Sequence, residues 1–495
     1  MFRRRREDAR TTSIHDHIRA HLRPDGPGLR DGGEALPDDA EQTTPWAPGA
    51  RDGVLTHHWG GAADPAEVDR VVAAVLSGEP ARVEEAVADV SVVALVEDLL
   101  TRVRAEADDP ELIHGLGMAL ATRSARREAV KAGIALLGMF DASHHRDVLL
   151  TLGRHDEFTL FAAVALGNGD GDPEAVLWDL ARRVTGWGRV HLVERLSATE
   201  NPELRDWILR EGFRNDVMDE YLAGIAAETG GLADALAAPA AGSDAELMAA
   251  AAGILTALAT DGGPMIGMAG YADGERATGR YLRHAAAAPA DLRHYLAAHA
   301  LRDHAAAHWP GLVGAADAVL ARPEWPDLAT AALRSPDPEL FYRGDEAGRL
   351  LGVPVRPAHA ARLRDDPFAV QHWVGALGGA DTAEAAPLIA WAAEVLPLAE
   401  IATGPGTSLG VGPDHAPHRA LGAVVDALDG HPGLGWPLVA AALRCPVTSA
   451  RNAAARTLDA WGDARPPEAA DALRRALAEE PDDDLRGRLR ALAGG

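Results

Sequence analysis

Asp172-Pro-Glu-Ala-Val-Leu-Trp-Asp-Leu and Asn201-Pro-Glu-Leu-Arg-Asp-Trp-Ile-Leu open in the same way, with an Asx residue, a proline and a glutamate ahead of an apolar run. An Asx side chain caps a free backbone N–H at a helix start. Proline at the next position gives up only an N–H that would have no partner there. Both stretches therefore predict helix starts. A third, Arg146-Asp-Val-Leu-Leu-Thr-Leu-Gly, begins 27 residues before Pro173, and Pro202 follows Pro173 by 29. Between these lie Ala132-Gly-Ile-Ala-Leu-Leu-Gly, Leu160-Phe-Ala-Ala-Val-Ala-Leu-Gly and Val190-His-Leu-Val-Glu-Arg-Leu, offset by 28 and 30 residues. Two helix types alternating at a nearly constant period predict an all-α chain, an α-solenoid of antiparallel helix pairs in which each pair buries its apolar face on the next.

Composition agrees with that reading. The chain has 495 residues, 47% of them hydrophobic but only 5% aromatic, so its core is built from small aliphatic side chains, which suit close-packed helices better than sheets. Cys445 is the only cysteine, which excludes an internal disulfide, a zinc site needing two thiolates and an iron–sulfur cluster held by several. With 48 Lys and Arg against 74 Asp and Glu, the net charge of −26 opposes general binding to nucleic acid or an anionic membrane. No stretch approaches the roughly 20 apolar residues of a membrane span. The basic start, Arg3 to Arg6, is not followed by an apolar segment, so the expected location is cytoplasmic.

Punctuation suggests four regions. Residues 1–64 are dense in glycine and proline and read as an irregular or disordered arm, in which Trp46 and His57-His58-Trp59 are candidates to dock on the body. Residues 65–261 form a helical-repeat domain, 262–429 an irregular helical middle that starts at Gly262-Gly263-Pro264, and 430–495 a final set of repeats. In that last region Ser449-Ala-Arg-Asn-Ala-Ala-Ala-Arg-Thr-Leu-Asp-Ala-Trp-Gly-Asp resembles the second helix of HEAT repeats. Arg451, Ala454, Ala455, Leu458, Gly462 and Asp463 carry the match, and the resemblance implies a HEAT/armadillo-like architecture. The segment 172–215 is similar to a group of bacterial helical proteins sometimes labelled limonene hydroxylase. That label implies an oxygenase, yet Cys445 stands directly before Pro446 in no haem-thiolate context, and no Gly-x-Gly-x-x-Gly joins a strand to a helix.

The densest group of large polar and aromatic side chains lies in 178–221. Like faces of successive repeats stack side by side, so Arg182, Arg183, Trp187, Arg189, His191, Glu194, Arg195, Trp207, Arg214 and Tyr221 are expected to share a binding surface. Arginine forks and tryptophan rings hold a partner with few contacts, which points to a non-enzymatic scaffold for a protein or peptide. The competing readings are a metal-assisted enzyme centred on His191 and Glu194 or on His304 and His308, and a nucleic-acid binder using the arginines of the same block. HEAT-like di-iron hydroxylases use recurrent His-Glu pairs, whereas His155-Asp156-Glu157 occurs once and His191 is separated from Glu194. No catalytic residue, metal or cofactor is assigned from the sequence, and no oligomeric state follows from it.

Overall fold

The computed structural model describes residues 12–42, 44–60, 63–168, 172–260, 263–265 and 267–494. Among them the chain is all-α: helices joined by short turns, with isolated β-bridges at Leu22–Leu29 and Ser408–Val447 and no strand. The predicted caps form. Asp172 accepts from the Glu174 N–H, and Asn201 from those of Glu203 and Leu204, each ahead of a proline. No helix among the described residues is long and apolar enough to cross a membrane.

Contacts divide the chain into two units, 1–322 and 323–495. In the first, the helices Arg127–Leu137, Asp156–Gly167, Trp187–Arg195, Glu220–Glu228, Ala245–Ala259 and Leu292–His308 pack each upon the next. Helices of the other type, such as Pro110–Arg123, Arg146–Leu152 and Pro173–Ala181, pack beside this row. The row runs on across the glycine-rich stretch near residue 263, because Ala245–Ala259 and Leu292–His308 meet directly. A glycine-rich connection does not end a domain when the helices it joins still have apolar faces to bury. In the second unit one core extends from Leu363 to Leu489, and so it too spans a break, at 429/430, that punctuation suggests.

Alanine and glycine set the spacing between helices. Helix Arg127–Leu137 is buried along its whole length. A Cβ on its Gly133 would lie 2.7 Å from the Ala121 nitrogen and 2.9 Å from the Gly117 carbonyl oxygen, so here two helix backbones touch. Gly133→Val is expected to lower stability by about 1–3 kcal/mol through overpacking, read as a fall in the urea midpoint with an unchanged slope.

The described residues before 64 contact the body, and Arg3 to Arg6 lie outside the described residues. The Gly28 N–H donates to the Arg183 carbonyl at 2.9 Å, and buried Asp38 accepts hydrogen bonds from Nε and Nη2 of the Arg127 guanidinium, with Nη2 2.9 Å away. His57 and His58 dock on the helical row, whereas Trp46 and Trp59 remain 41% and 66% exposed.

Candidate metal centre

The site is assembled by one short segment laid across the row. Gly49, with φ +71°, starts the helix Ala50–Val54 and donates its N–H to Glu157 Oε2 at 2.8 Å. The next residues, Leu55–Trp59, widen into a π turn closed by the Gly60 N–H on the Leu55 carbonyl at 3.0 Å. Such turns re-aim side chains and recur at functional sites. Gly53 lies against the Trp187 indole so closely that a Cβ would overlap the ring. Asp52 points inward to Lys131, while His57 and His58 point to Glu194 and Tyr221.

Lys131 fastens this segment from beneath. Its Nζ, with no exposed side-chain surface, lies 2.8 Å from Asp52 Oδ2, 3.0 Å from Glu128 Oε1 and 2.7 Å from Glu157 Oε1. Burial disfavours the ammonium, but the three carboxylates outweigh it and hold the Lys131 pKa well above its ordinary value. Burial pushes Asp52 up to about 6, with Lys131 opposing. Burial also acts on Glu157, yet Lys131, the Gly49 N–H and Arg127 bring it below the usual carboxylate range.

On the outer side, His57 Nε2 lies 2.8 Å from Glu194 Oε1, and His191 Nδ1 lies 3.8 Å from Glu194 Oε2. One ligand atom each from His57, His191 and Glu194 falls within 4.8 Å of the other two; no other set of three or more His, Cys, Asp or Glu does so among the described residues. His57 Nδ1–H donates to the Gly53 carbonyl at 3.0 Å, which turns Nε2 toward Glu194. A histidine whose other nitrogen is held by a backbone carbonyl is the usual posture of a metal ligand. His191 is only 3% exposed, and its Nε2 is buried without a hydrogen-bond partner.

Charge follows the geometry. The Glu194 hydrogen bond holds the His57 pKa above the ordinary imidazole range against the effect of burial. Burial lowers that of His191. Burial opposes ionisation of Glu194 as well, but the two histidines outweigh it and bring its pKa down to about 2. Aromatic rings close the site: Trp187 stands 5.3 Å from His57 and 5.0 Å from Tyr221, ring centre to ring centre, and the Tyr221 hydroxyl lies 2.6 Å from His58 Nε2.

The residues expected to share one surface therefore separate. His191, Glu194, Trp187 and Tyr221 gather around His57, with Trp187, His191 and Tyr221 buried. The arginines go elsewhere. Arg183 Nη1 donates to the Pro24 carbonyl, Arg189 to the carbonyls of Ala181, Val184 and Arg214, and Arg195 to that of His191. Arg182 lies over Trp178, Arg189 over Trp207 and Arg214 over Phe213. Arg189 reaches carbonyls at the turns beside its helix, and Arg195 the His191 carbonyl one turn back in its own helix. His304 and His308 lie with ring centres 4.5 Å apart, tilted by 33°. His57 is the member of this cluster that the sequence reading leaves out. Its only signal is a His-His-Trp run in a polar, glycine-rich segment, 137 residues from its partner.

The chain matches no protein-family model, and no curated protein or solved structure matches it.

Proposed function

We propose that this chain binds a divalent transition ion of the zinc and ferrous-iron class through His57, His191 and Glu194, and acts as a metal-assisted enzyme. The observation that carries the reading is the convergence of one ligand atom each from His57, His191 and Glu194 within 4.8 Å of one another, with His191 buried. Two imidazoles and one carboxylate suit both ions and leave coordination positions for water or substrate. An ion there would act as a Lewis acid and lower the pKa of its bound water. Its entry exchanges the direct His57–Glu194 hydrogen bond for two bonds to the ion. The scaffold reads as HEAT/armadillo-like helix pairs, which the row of successively packed helices supports. A protein- or peptide-binding surface in the same block would rest on exposed Arg182, Arg195 and Arg214 and on the half-buried ring of Trp207.

Calorimetric titration of the chelator-treated chain with zinc should find one ion per chain. His191→Ala and Glu194→Gln should each weaken binding by about 100-fold or more, with His304→Ala as an unaffected control. Because His57 must lose a proton to bind, affinity should rise as pH climbs through and beyond the ordinary imidazole range. Stoichiometric binding that survives His191→Ala would overturn the assignment.

A further inference from the structure

In the first unit a cavity of about 620 Å³ lies between the helices Val92–Glu106, Arg127–Leu137 and Asp156–Gly167 and the turn Leu55–Trp59. Its buried end is lined by Ala135, Phe161 and Ala165. A Cβ on Gly138 would stand 3.2 Å from that of Ala165, so two helices meet there and close the hollow.

The helix Val92–Glu106 carries two apolar stripes. Val92, Leu95, Leu99 and Val103 are buried, the single stripe that a helix of period 3.6 needs to join a core. Val93, Val96 and Leu100 repeat that spacing on a second face, where they are half-buried and line the cavity. The helix Asp156–Gly167 does the same with Leu160 and with Val164, which is 47% exposed. A helix face turned to water ordinarily reads polar. Two faces of valine and leucine around one hollow therefore mark a place for an apolar body.

The charge at the rim has one sign. Glu97 and Asp98 are exposed lining residues, and neither carboxylate takes part in a hydrogen bond or ion pair among the described residues. No Lys, Arg or His lines the cavity among those residues. The Thr56 hydroxyl is already bonded to the Asp52 and Gly53 carbonyls, and the Asn168 amide to that of Gly138. An apolar hollow edged by two unpaired carboxylates complements a hydrocarbon that ends in a cationic hydrogen-bond donor.

We propose that this cavity binds a small apolar molecule bearing one ammonium group, with its hydrocarbon body against Val96, Leu100, Leu160 and Phe161 and its ammonium at Glu97 and Asp98. The volume falls within the range of about 300–1,000 Å³ usual for small-molecule pockets. The site does not depend on the ion, since none of His57, His191 and Glu194 lines it.

The probe is octylamine, titrated calorimetrically into the chelator-treated full chain near neutral pH, beside its neutral and anionic counterparts octanol and octanoate. One saturable site per chain is expected for the amine. Octanol should bind about tenfold more weakly and octanoate about 30-fold or more, because only the ammonium makes charge-assisted hydrogen bonds to the rim. Glu97→Gln combined with Asp98→Asn should bring the amine down to the affinity of the alcohol and leave the alcohol unmoved, which a general pull of the acidic surface would not do. Val164→Trp should weaken amine and alcohol alike, by about tenfold or more, as the indole fills the mouth. All three positions are exposed, so the fold survives these changes. Absence of saturable octylamine binding at millimolar concentration, equal affinity for amine and carboxylate, or binding untouched by Val164→Trp would overturn the proposal.

Discussion

Lys131→Met is expected to lower folding stability by about 3–5 kcal/mol, because it leaves three buried carboxylates without their shared cation. Asp52, Glu128 and Glu157 all lie within 3.0 Å of that ammonium, which has no exposed surface. The direction of the pH dependence can be derived. Burial already raises folded Asp52 to about 6, against about 3.9 in an unfolded chain. A carboxyl raised in the folded state costs stability above its folded pKa, and that cost fades as pH falls toward the unfolded value. Without Lys131, Asp52 rises further and Glu157 loses the cation that holds it down. The loss should therefore be largest near about pH 8 and clearly smaller near about pH 5, as urea unfolding at the two values would show. An equal loss at both would mean that methionine fails for reasons of shape alone. Because Asp52 belongs to the segment that presents His57, zinc affinity in Lys131→Met should also fall, even though Lys131 is not a ligand.

Arg451→Met should have an effect of similar size in the second unit, about 3–5 kcal/mol, by stranding Glu480. The pair is buried, with side-chain exposures of 1% and 0%, and bidentate: Nε donates to Oε2 and Nη2 to Oε1, both at 2.8 Å. Arg451 also donates to the carbonyls of Cys445 and Gly406. Fluorescence of Trp461, whose indole N–H donates to the Leu428 carbonyl, reports on this core during urea unfolding. Adding Glu480→Met should restore much of the loss, since a buried ion pair replaced whole by apolar side chains is often neutral. A double variant as unstable as the single one would show that the carbonyl contacts of Arg451, rather than its charge, hold the region.

Arg451 and Lys131 mark the two ends of what can be read from a chain. Arg451 stands in a helix whose alanine face, length and Gly462-Asp463 ending all carry a local pattern, so its burial is legible even though Glu480 is not. Lys131 has only Glu128, three residues earlier on the same helix, as a local sign of its pairing. Its partners include Asp52 and Glu157, far away in sequence, and it is the fold that brings them together. His191 and Glu194 are three apart on one helix and could be paired from spacing; the same spacing placed Arg189 and Arg195 beside them, whereas both guanidinium groups turn back to backbone carbonyls.

Helical character, the starts of helices such as Pro173–Ala181 and Pro202–Trp207 and the alternation of two helix types are written in neighbouring residues. Caps, proline positions and apolar periodicity act within a few residues of each other, so a local reading suffices for them. Long-range packing alone lays residues 49–60 on the row, brings His57 to His191 and Glu194, and joins Asp345, His359 and His372 in one hydrogen-bonded chain. Each of these depends on atoms within about 3 Å of one another across long loops, and the sequence pattern constrains which helices pack far more closely than which polar atoms meet.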